Sequence, residues 1–428
     1  MGIKAQLRQL APRSLLGVYH AVASYLVALV YGFPARKLIV VGVTGTKGKT
    51  TTCAMIHHLL SSTGYKTGLI STAQFKIGEK QWLNDLKMTM PGRGALQRLF
   101  RDMVHAGCTH VVVETSSEGL AQWRHLGIPY QVAVFTNMAP EHIEAHGSFA
   151  AYRAAKARLF KACARHGGTS VVNLDDTEAG YFLQLNPGRT IGYTMTGKNL
   201  AQAEVLSASE LHENATTVHF RVNDVVTELP VGGTFNVANA LASLGAAKAL
   251  GIKLESATQS LASFPGTPGR LEFISAGQPF RVVVDYAHTP ESLQALYKTL
   301  SATSSLIAVL GSCGGGRDKA KRPVLGKLAG EHARAVFVTD EDPYDEDPCS
   351  IMDAVAVGVR EVGKKDGVDL WIEPDRRSAI RRAFGLAKPG DTVVITGKGS
   401  EQWLCAAGGK MIPWDDRNVV REELLKLL

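Results

Sequence analysis

The run Gly45-Thr46-Lys47-Gly48-Lys49-Thr50-Thr51 gathers glycines, lysines and threonines into one short stretch. Backbone N–H groups of such a turn, with the unpaired N–H groups that open a following helix, cradle phosphate. Lys49 would reach the β- and γ-phosphates, and the Thr50 hydroxyl would sit on Mg²⁺. The strict Walker spacing asks for glycine six residues before Lys49, where this chain carries Val43. Context separates a phosphate loop from an ordinary glycine-rich turn: an apolar strand before it and a helix after it. Residues 38–43 supply the strand, and Thr52-Cys53-Ala54-Met55-Ile56 continues as a helix to Ser62. The stretch reads as a nucleoside triphosphate site.

Other residues are placed to serve it. Glu114 closes the run Val111-Val112-Val113 and opens into Thr115-Ser116-Ser117. A carboxylate at the C-terminal edge of a parallel sheet, beside a phosphate loop, suits a Mg²⁺ ligand. His142 follows a strand at 132–136 and a turn at 137–140, and could reach the same crevice. Either alone is commonly structural; both at strand ends of one sheet read as metal ligands. Lys156 lies four residues after Tyr152, in a helix that Ser148 would cap, and by itself reads as a solvated surface lysine. Asp285-Tyr286-Ala287-His288-Thr289-Pro290 and the run GSCGGGRD at 311–318 again join strand to helix. They put backbone donors, His288 and Arg317 at the rim of a second sheet, a binding edge.

The elements that must hold these residues alternate. Strand-like runs at 38–43, 68–71, 110–114, 132–136 and 170–174 are separated by helical patterns such as 94–106 and 149–165. This is the signature of a mostly parallel sheet covered by helices. Residues 190–230 read as short strands with polar turns, and 235–251 as a small-residue helix. After Gly266-Thr267-Pro268-Gly269-Arg270 a second series begins, with strands at 281–285, 306–310, 335–339 and 392–396. The expectation is an α/β chain in three parts: a basic, apolar helical segment at 1–37, a P-loop domain at 38–266, and a Rossmann-like α/β domain at 267–428.

Hydrophobic content of 45% and charged content of 20% are those of a globular protein. The six cysteines are scattered without a C-x-x-C pair, which argues against a disulfide framework and for a reducing cytoplasm. The net charge of +8 owes much to Lys4, Arg8, Arg13, Arg36 and Lys37, which precede Leu38 with no acid among them. No nucleic-acid module lies behind it. Residues 15–33 are nearly uncharged and as a helix would be about 28 Å long, close to the hydrocarbon thickness of a bilayer. Tyr19, Tyr25 and Tyr31 suit a water–lipid interface. The segment is open to three readings: a helix lying in the membrane plane, a helix docked on the protein or a partner, and a true span.

The motifs TGTKGKTT, ETSSEGL, TNMAPEH, AYRAAKARLF, FNVANALA, PGRLE, DYAHTP, GGGRDKAKRP and GKGSE occur in one order. In this the chain resembles the Mur ligase family, in its MurE-type branch of UDP-N-acetylmuramoyl-tripeptide synthetases, over residues of about 38–428. The resemblance does not cover the N-terminus, where those ligases carry a domain for the UDP end of the substrate. It implies that Gly45 to Thr51, with Glu114 and His142, hold ATP and its Mg²⁺ ions. It also implies that Lys156 is carbamylated by CO₂ into an anionic metal ligand, which reverses the bland reading of that residue. Thr89, Ser116, Gln122 and Arg124 match positions for the muramoyl-peptide acceptor. Asn236 and Asn239 fall in a motif near the nucleotide, and Arg270 and Asp285 in segments that serve it from the third domain. His288 belongs to the DYAHTP rim on the substrate side, and Arg317, Gly397 and Glu401 match positions that grip the incoming amino acid.

Some positions depart from the pattern. The family's serine-serine-histidine is Ser116-Ser117-Glu118, and Thr89-Met90-Pro91 stands where two threonines and a proline are usual. Glycine-lysine-glycine-histidine-glutamate is Gly397-Lys398-Gly399-Ser400-Glu401. The Asp-Asn-Pro-Arg box of diaminopimelate-adding enzymes reads Glu341-Asp342-Pro343-Tyr344, losing the arginine that pairs with a second carboxylate. The acidic surroundings of Tyr344 favour a second ammonium, hence lysine over diaminopimelate. The resemblance implies a monomeric, cytoplasmic, ADP-forming amide ligase that joins a free diamino acid to a muramoyl-peptide acceptor. Residues 1–33 would touch the inner face of the plasma membrane. The alternatives are a lipid-linked or folylpolyglutamate-type acceptor, and a non-catalytic membrane-docked scaffold.

Overall fold

The structure, a computed structural model, describes residues 13–140, 146–186, 189–200, 203–214 and 216–427. The chain falls into two compact units, changing over between Pro265 and Gly266, with Asn214–Thr216 and Val231–Gly233 grouped with the second.

In the first unit the strands are β1 (Ile39–Thr44), β2 (Thr67–Ile70), β3 (Gln74–Ile77), β4 (Lys80–Leu83), β5 (His110–Glu114), β6 (Tyr130–Phe135), β7 (Thr169–Asn173), β8 (Thr190–Thr194), β9 (Glu204–Glu213), β10 (Val218–Val222) and β11 (Val225–Leu229). They form one sheet in the order β11-β10-β9-β8-β7-β6-β1-β5-β2-β3-β4. From β2 to β9 through the centre every pairing is parallel, and the meanders at both edges are antiparallel. Strands covered by helices on both faces must be apolar throughout. Accordingly Val40, Val41, Val43, Val111, Val112, Val113, Val132 and Val134 are all buried. Thr50, Thr51 and Thr52 lie in the first turns of the helix Lys49–Ser62, which starts earlier than its apolar run suggested. The helix Phe235–Ala249 carries buried Ala240, Ala242, Ser243, Ala246 and Ala247, small enough to lie close against its neighbours.

The chain's first described helix, Arg13–Val30, buries Ser24 and Ala28 on its inner side. Its larger apolar residues Val18, Tyr19, Val22, Tyr25, Leu26, Leu29 and Val30 are exposed. Among the described residues no helix is long and apolar enough to cross a membrane, so the reading of 15–33 as a span is set aside.

The second unit contains β12 (Glu272–Phe273), β13 (Arg281–Asp285), β14 (Leu306–Leu310), β15 (Ala333–Thr339), β16 (Leu370–Glu373) and β17 (Thr392–Thr396), with a separate hairpin of β18 (Trp403–Ala406) and β19 (Lys410–Pro413). Its main sheet runs β12-β13-β17-β14-β15-β16, parallel except for β12. Thr289 caps the helix Pro290–Ser301 through a reciprocal bond with Ser292, with proline at the first turn, a pre-set helix start. The fold is thus α/β throughout, mostly parallel in both units, as the alternating pattern implied.

Candidate active site

Parallel sheets put their binding crevice at the carboxyl ends of central strands, where the chain switches sides. In the first unit β1 is central: the chain passes to β2 and β5 on one side and to β6 and β7 on the other. The phosphate loop follows β1, Glu114 ends β5, and Thr136-Asn137 follows β6.

Gly48 caps the helix Lys49–Ser62 at φ +80°, a conformation that side chains seldom adopt. A Cβ there would also strike the Asn239 side chain. Asn239 Nδ2 donates to Asn236 Oδ1 (3.0 Å), and Thr52 Oγ1 donates to Asn239 Oδ1 (3.3 Å). The FNVANALA helix therefore lies directly on the glycine loop, and both asparagines are buried in the contact. From the other side Asn137 clamps the loop, accepting from Lys47 N (2.8 Å) and donating to Lys47 O (3.1 Å). Thr136 Oγ1 also donates to Lys47 O (2.7 Å). Asn137 was not among the sequence candidates, although it sits inside the TNMAPEH motif.

Lys49 Nζ donates to Thr46 O (2.8 Å), which curls the ammonium back over its own loop. Thr50 Oγ1 donates to Glu114 Oε1 (3.1 Å), and Glu114 Oε2 accepts from Thr72 N (2.7 Å). Thr72 Oγ1 donates to Thr89 Oγ1 (3.0 Å). A continuous chain thus links the phosphate loop through the buried carboxylate to Thr89. Thr72 and its role were not legible beforehand, because no motif contains it.

A cation here would meet one buried carboxylate and hydroxyls. Among the described residues no group of three or more histidine, cysteine, aspartate or glutamate side chains forms a metal cluster. That sparse donor set fits Mg²⁺, which keeps several waters and takes other ligands from substrate phosphates. The glycine loop fits phosphate because it leads, through Gly48, into the open N-terminus of the helix Lys49–Ser62, whose first N–H groups have no intrahelical acceptor. His142 lies outside the described residues.

Lys156 is 1% exposed, so read by itself as a solvated surface lysine it was misjudged. Its helix, Phe149–Arg165, starts at the expected Ser148 cap and turns the side chain inward. Nζ donates to Gly45 O (2.6 Å) and lies 4.4 Å from the Tyr152 ring centroid. Tyr152 OH is 3.1 Å from Thr46 Oγ1, which ties this helix to the loop a second time.

The expected acceptor residues form a wall beside the crevice. Ser116 Oγ caps the helix Ser117–Ala121 by accepting from Gly119 N. Gln122 bridges Glu118 and Arg124: its Nε2 donates to Glu118 Oε1 (3.1 Å), and its Oε1 accepts from Arg124 Nη2 (2.6 Å). Arg124 also donates to Met90 O, next to Thr89. Glu118, in place of the family's histidine, therefore anchors the very residues it interrupts.

In the second unit the expected residues gather at the carboxyl edge of the sheet. Asp285 ends β13 and accepts from Leu271 N and Ala287 N, both at 2.6 Å, which fixes the backbone beside Arg270. Burial raises its pKa, with the Arg270 charge opposing. Arg270 lies 4.1 Å over the Tyr286 ring, whose hydroxyl donates to Glu401 Oε1 (3.2 Å). His288 Nδ1 is 2.8 Å from Tyr286 O, so this imidazole braces the turn. Lys398 is fully buried between Asp342 Oδ2 (2.8 Å) and Glu401 Oε2 (2.6 Å). Burial works against its charge, but Glu401 and Asp342 outweigh that and raise its pKa.

Glu341 and Asp342 are also buried. Cys313 Sγ donates to Glu341 Oε1 (2.9 Å), and Asp342 Oδ1 accepts from Cys405 N (2.7 Å). Burial raises the Glu341 pKa above the ordinary carboxylate value. The neighbouring acids are engaged too: Glu346 with Arg322 and Lys319, Asp347 as a helix cap, Asp345 with Gly408 N. The loop's acidic composition thus serves internal bonds, and the charge argument for a second ammonium loses much of its force. Tyr344, at φ +53°, packs its ring against Gly315, where a Cβ would come within 2.7 Å. The Arg317 guanidinium is near enough for its charge and the Tyr344 phenol to influence each other. Gly397 N donates to Asp285 O (3.2 Å), and the Glu341 carboxylate lies against Gly397.

Residues 43–247 match the Mur ligase middle domain, and residues 269–399 match the Mur ligase glutamate ligase domain. A UDP-N-acetylmuramyl-tripeptide synthetase of Roseiflexus sp. (strain RS-1) is 41% identical over 419 residues, covering 94% of this chain and 81% of that protein. A UDP-N-acetylmuramoyl-L-alanyl-D-glutamate–2,6-diaminopimelate ligase of Geobacillus kaustophilus is 38% identical, covering 91% and 80%. A solved structure of a ligase of that same name superposes with a TM-score of 0.62 at 32% identity, covering 91% and 79%. On these matches the chain belongs to the Mur ligase family of ATP-dependent amide ligases.

Proposed function

We propose that this ligase joins a diamino acid, L-lysine or meso-diaminopimelate, to a UDP-N-acetylmuramoyl-dipeptide-like acceptor. It works as a cytoplasmic monomer peripheral to the inner face of the plasma membrane. The observation that carries the reading is the hydrogen-bonded chain Thr50–Glu114–Thr72–Thr89, which ties the phosphate loop to the acceptor wall.

The acceptor carboxylate oxygen bonds to the γ-phosphorus of ATP as the bond to the bridging oxygen breaks, giving an acyl phosphate and ADP. The amino acid's neutral amine then attacks the acyl carbon. The tetrahedral species expels phosphate with its electron pair, and the amine proton passes to solvent or a base. Lys49 and the loop N–H groups stabilise charge on the transferring phosphoryl oxygens, a task of positioning and electrostatics. Thr50, Glu114 and His142, together with phosphate, would hold Mg²⁺, which would supply further neutralisation of that charge. Ser116, Gln122, Arg124 and Thr89 hold the acceptor. Asn236 and Asn239 keep the loop in its phosphate-binding shape, while Arg270 and Asp285 order the turn that serves the nucleotide from the second unit. Arg317, Tyr344, Gly397, Glu401 and the His288 turn form the amino-acid edge.

Lys156 is carbamylated in the working enzyme: its neutral amine nitrogen bonds to the carbon of CO₂ and releases a proton. The product is an anion at the buried position beside Gly45, a second carboxylate-like group for the cation. Its burial at the loop supports this assignment.

Mass spectrometry of UDP- and lipid-linked acceptors against a panel of amino acids tests the reaction. The expected result is an acceptor heavier by one diamino-acid residue, formed only with ATP. No such product from any acceptor would refute the reading.

A further inference from the structure

The helix Arg13–Val30 is packed in an unusual sense. On a 3.6-residue period, positions 18, 19, 22, 25, 26, 29 and 30 fall on one side, and 24 and 28 on the other. The large residues Val18, Tyr19, Val22, Tyr25, Leu26, Leu29 and Val30 point outward, with Val30 82% exposed, while Ser24 and Ala28 point inward. A helix docked only for its own stability would bury the large residues instead. Seven apolar side chains on one exposed face, with no charge among them, call for an apolar occupant.

The rim of this face is basic. Residues 16–37 contain Arg36 and Lys37 and no acid. The neighbouring helix, Arg93–His105, adds Arg93 and Arg101, the latter 3.6 Å from the Asp102 carboxylate. The Arg93 guanidinium lies 5.6 Å from the Tyr19 ring and that of Arg101 lies 5.2 Å from Tyr31. Arg36 sits 4.0 Å from the Phe33 ring. Aromatic bodies beside cationic heads are what the boundary between hydrocarbon and headgroups selects. A second copy of this chain placed on the face would bring like charges together along the rim. An anionic headgroup layer complements it.

The helix is also fixed to the acceptor wall. A Cβ at Gly127 would lie 2.9 Å from Ala28 and 3.3 Å from Phe33, and one at Gly17 would lie 3.8 Å from Trp123, between Gln122 and Arg124. His20 Nδ1 is 2.7 Å from Arg93 Nη2, two residues beyond Pro91.

We propose that this face docks the protein, helix in plane, on an anionic lipid bilayer, and that the docked pose brings the acceptor wall to the bilayer surface. The docking stands on the helix and its rim. Its consequence, that docking opens the acceptor wall to muramoyl peptides at the bilayer surface, lipid-linked as well as UDP-linked, rests on the assignment of Gln122 and Arg124 given above.

The test sediments the full chain with vesicles of phosphatidylcholine, with and without phosphatidylglycerol, at low and raised salt. Wild type is expected to bind the anionic vesicles and to weaken with salt. The variant Val22→Glu/Leu26→Glu/Leu29→Glu should not bind, while melting normally and forming ADP from a soluble acceptor at the wild-type rate. With a lipid-linked acceptor in vesicles its rate should fall in step with its binding. Arg36→Gln/Arg101→Gln, which leaves the apolar face intact, should lose about fivefold in partitioning per arginine, and decides the matter if the triple variant does not fold. Wild type that stays in the supernatant, or variants that bind as wild type does, would overturn the proposal. So would a wild-type dimer that the glutamates dissociate, since the face would then be a protein interface. Vesicle binding without ADP formation on any acceptor would count against the catalytic reading alone.

Discussion

In the proposed reaction the phosphate chemistry rests most heavily on Lys49. Its ammonium is held over the loop by Thr46 O at 2.8 Å, and other bonds brace the loop itself. Lys49→Ala should therefore lower ATP turnover by on the order of 10²–10³ and leave the unfolding transition unchanged. Near-wild-type ADP formation by a folded mutant would remove the loop from the mechanism. Tyr344 governs a different choice. Glu341 and Asp342 are bonded to Cys313, Lys398 and the Cys405 backbone, so of the proposed amino-acid edge Tyr344 and Arg317 are the residues to vary. Tyr344→Arg would add a bidentate partner for a second carboxylate and should raise kcat/KM for meso-diaminopimelate relative to lysine by about tenfold. An unmoved ratio would mean that this loop does not read the amino-acid side chain. The sequence made these residue types visible but hid their partners. Lys156 alone reads as a surface lysine because burial is a property of the assembled helix. The acidic loop reads as open charge because its hydrogen bonds come from residues distant in the chain.

Elements were more legible. Short continuous apolar runs and helical spacing decide strand and helix locally, so 110–114, 281–285, 306–310 and 392–396 coincide with β5, β13, β14 and β17. The helix Lys49–Ser62 begins earlier than expected because Gly48, not a polar cap, starts it. The antiparallel edge strands β3 and β4 escaped notice, since short, half-exposed strands carry little periodicity. One element gives a pH signature. Glu423, in the helix Asp416–Leu425, accepts from Arg381 Nε (2.6 Å), Lys426 Nζ (2.7 Å) and Arg377 Nη1 (3.0 Å). The Arg381 bond first, then those of Lys426 and Arg377, lower its pKa to about 2 against the opposing effect of burial. The folded value lies below the unfolded one of about 4.3. The stabilisation is therefore complete above that pH and is lost as pH falls toward about 2. Glu423→Gln should lower stability at neutral pH and flatten this acid limb. Denaturant midpoints across that range measure it, and a mutant limb as steep as wild type would assign the loss to other carboxylates.

At the scale of the molecule, two α/β units each present a carboxyl sheet edge. One edge carries the glycine loop, joined by hydrogen bonds to the proposed acceptor wall; the other carries the proposed amino-acid edge around Lys398. The alternation of elements and the break after Pro265 made this division legible. What joins Thr50 to Thr89 was not, because Glu114 and Thr72 meet only when β5 and the turn after β2 lie side by side. In the proposed reaction ATP is spent on activating one substrate for attack by another. Steady-state ADP release by the full chain, with acceptor and amino acid supplied separately and together, tests this. Sustained release is expected only with both present, in equal amount to amide product. Release that continues with ATP alone, or that needs neither substrate, would contradict it.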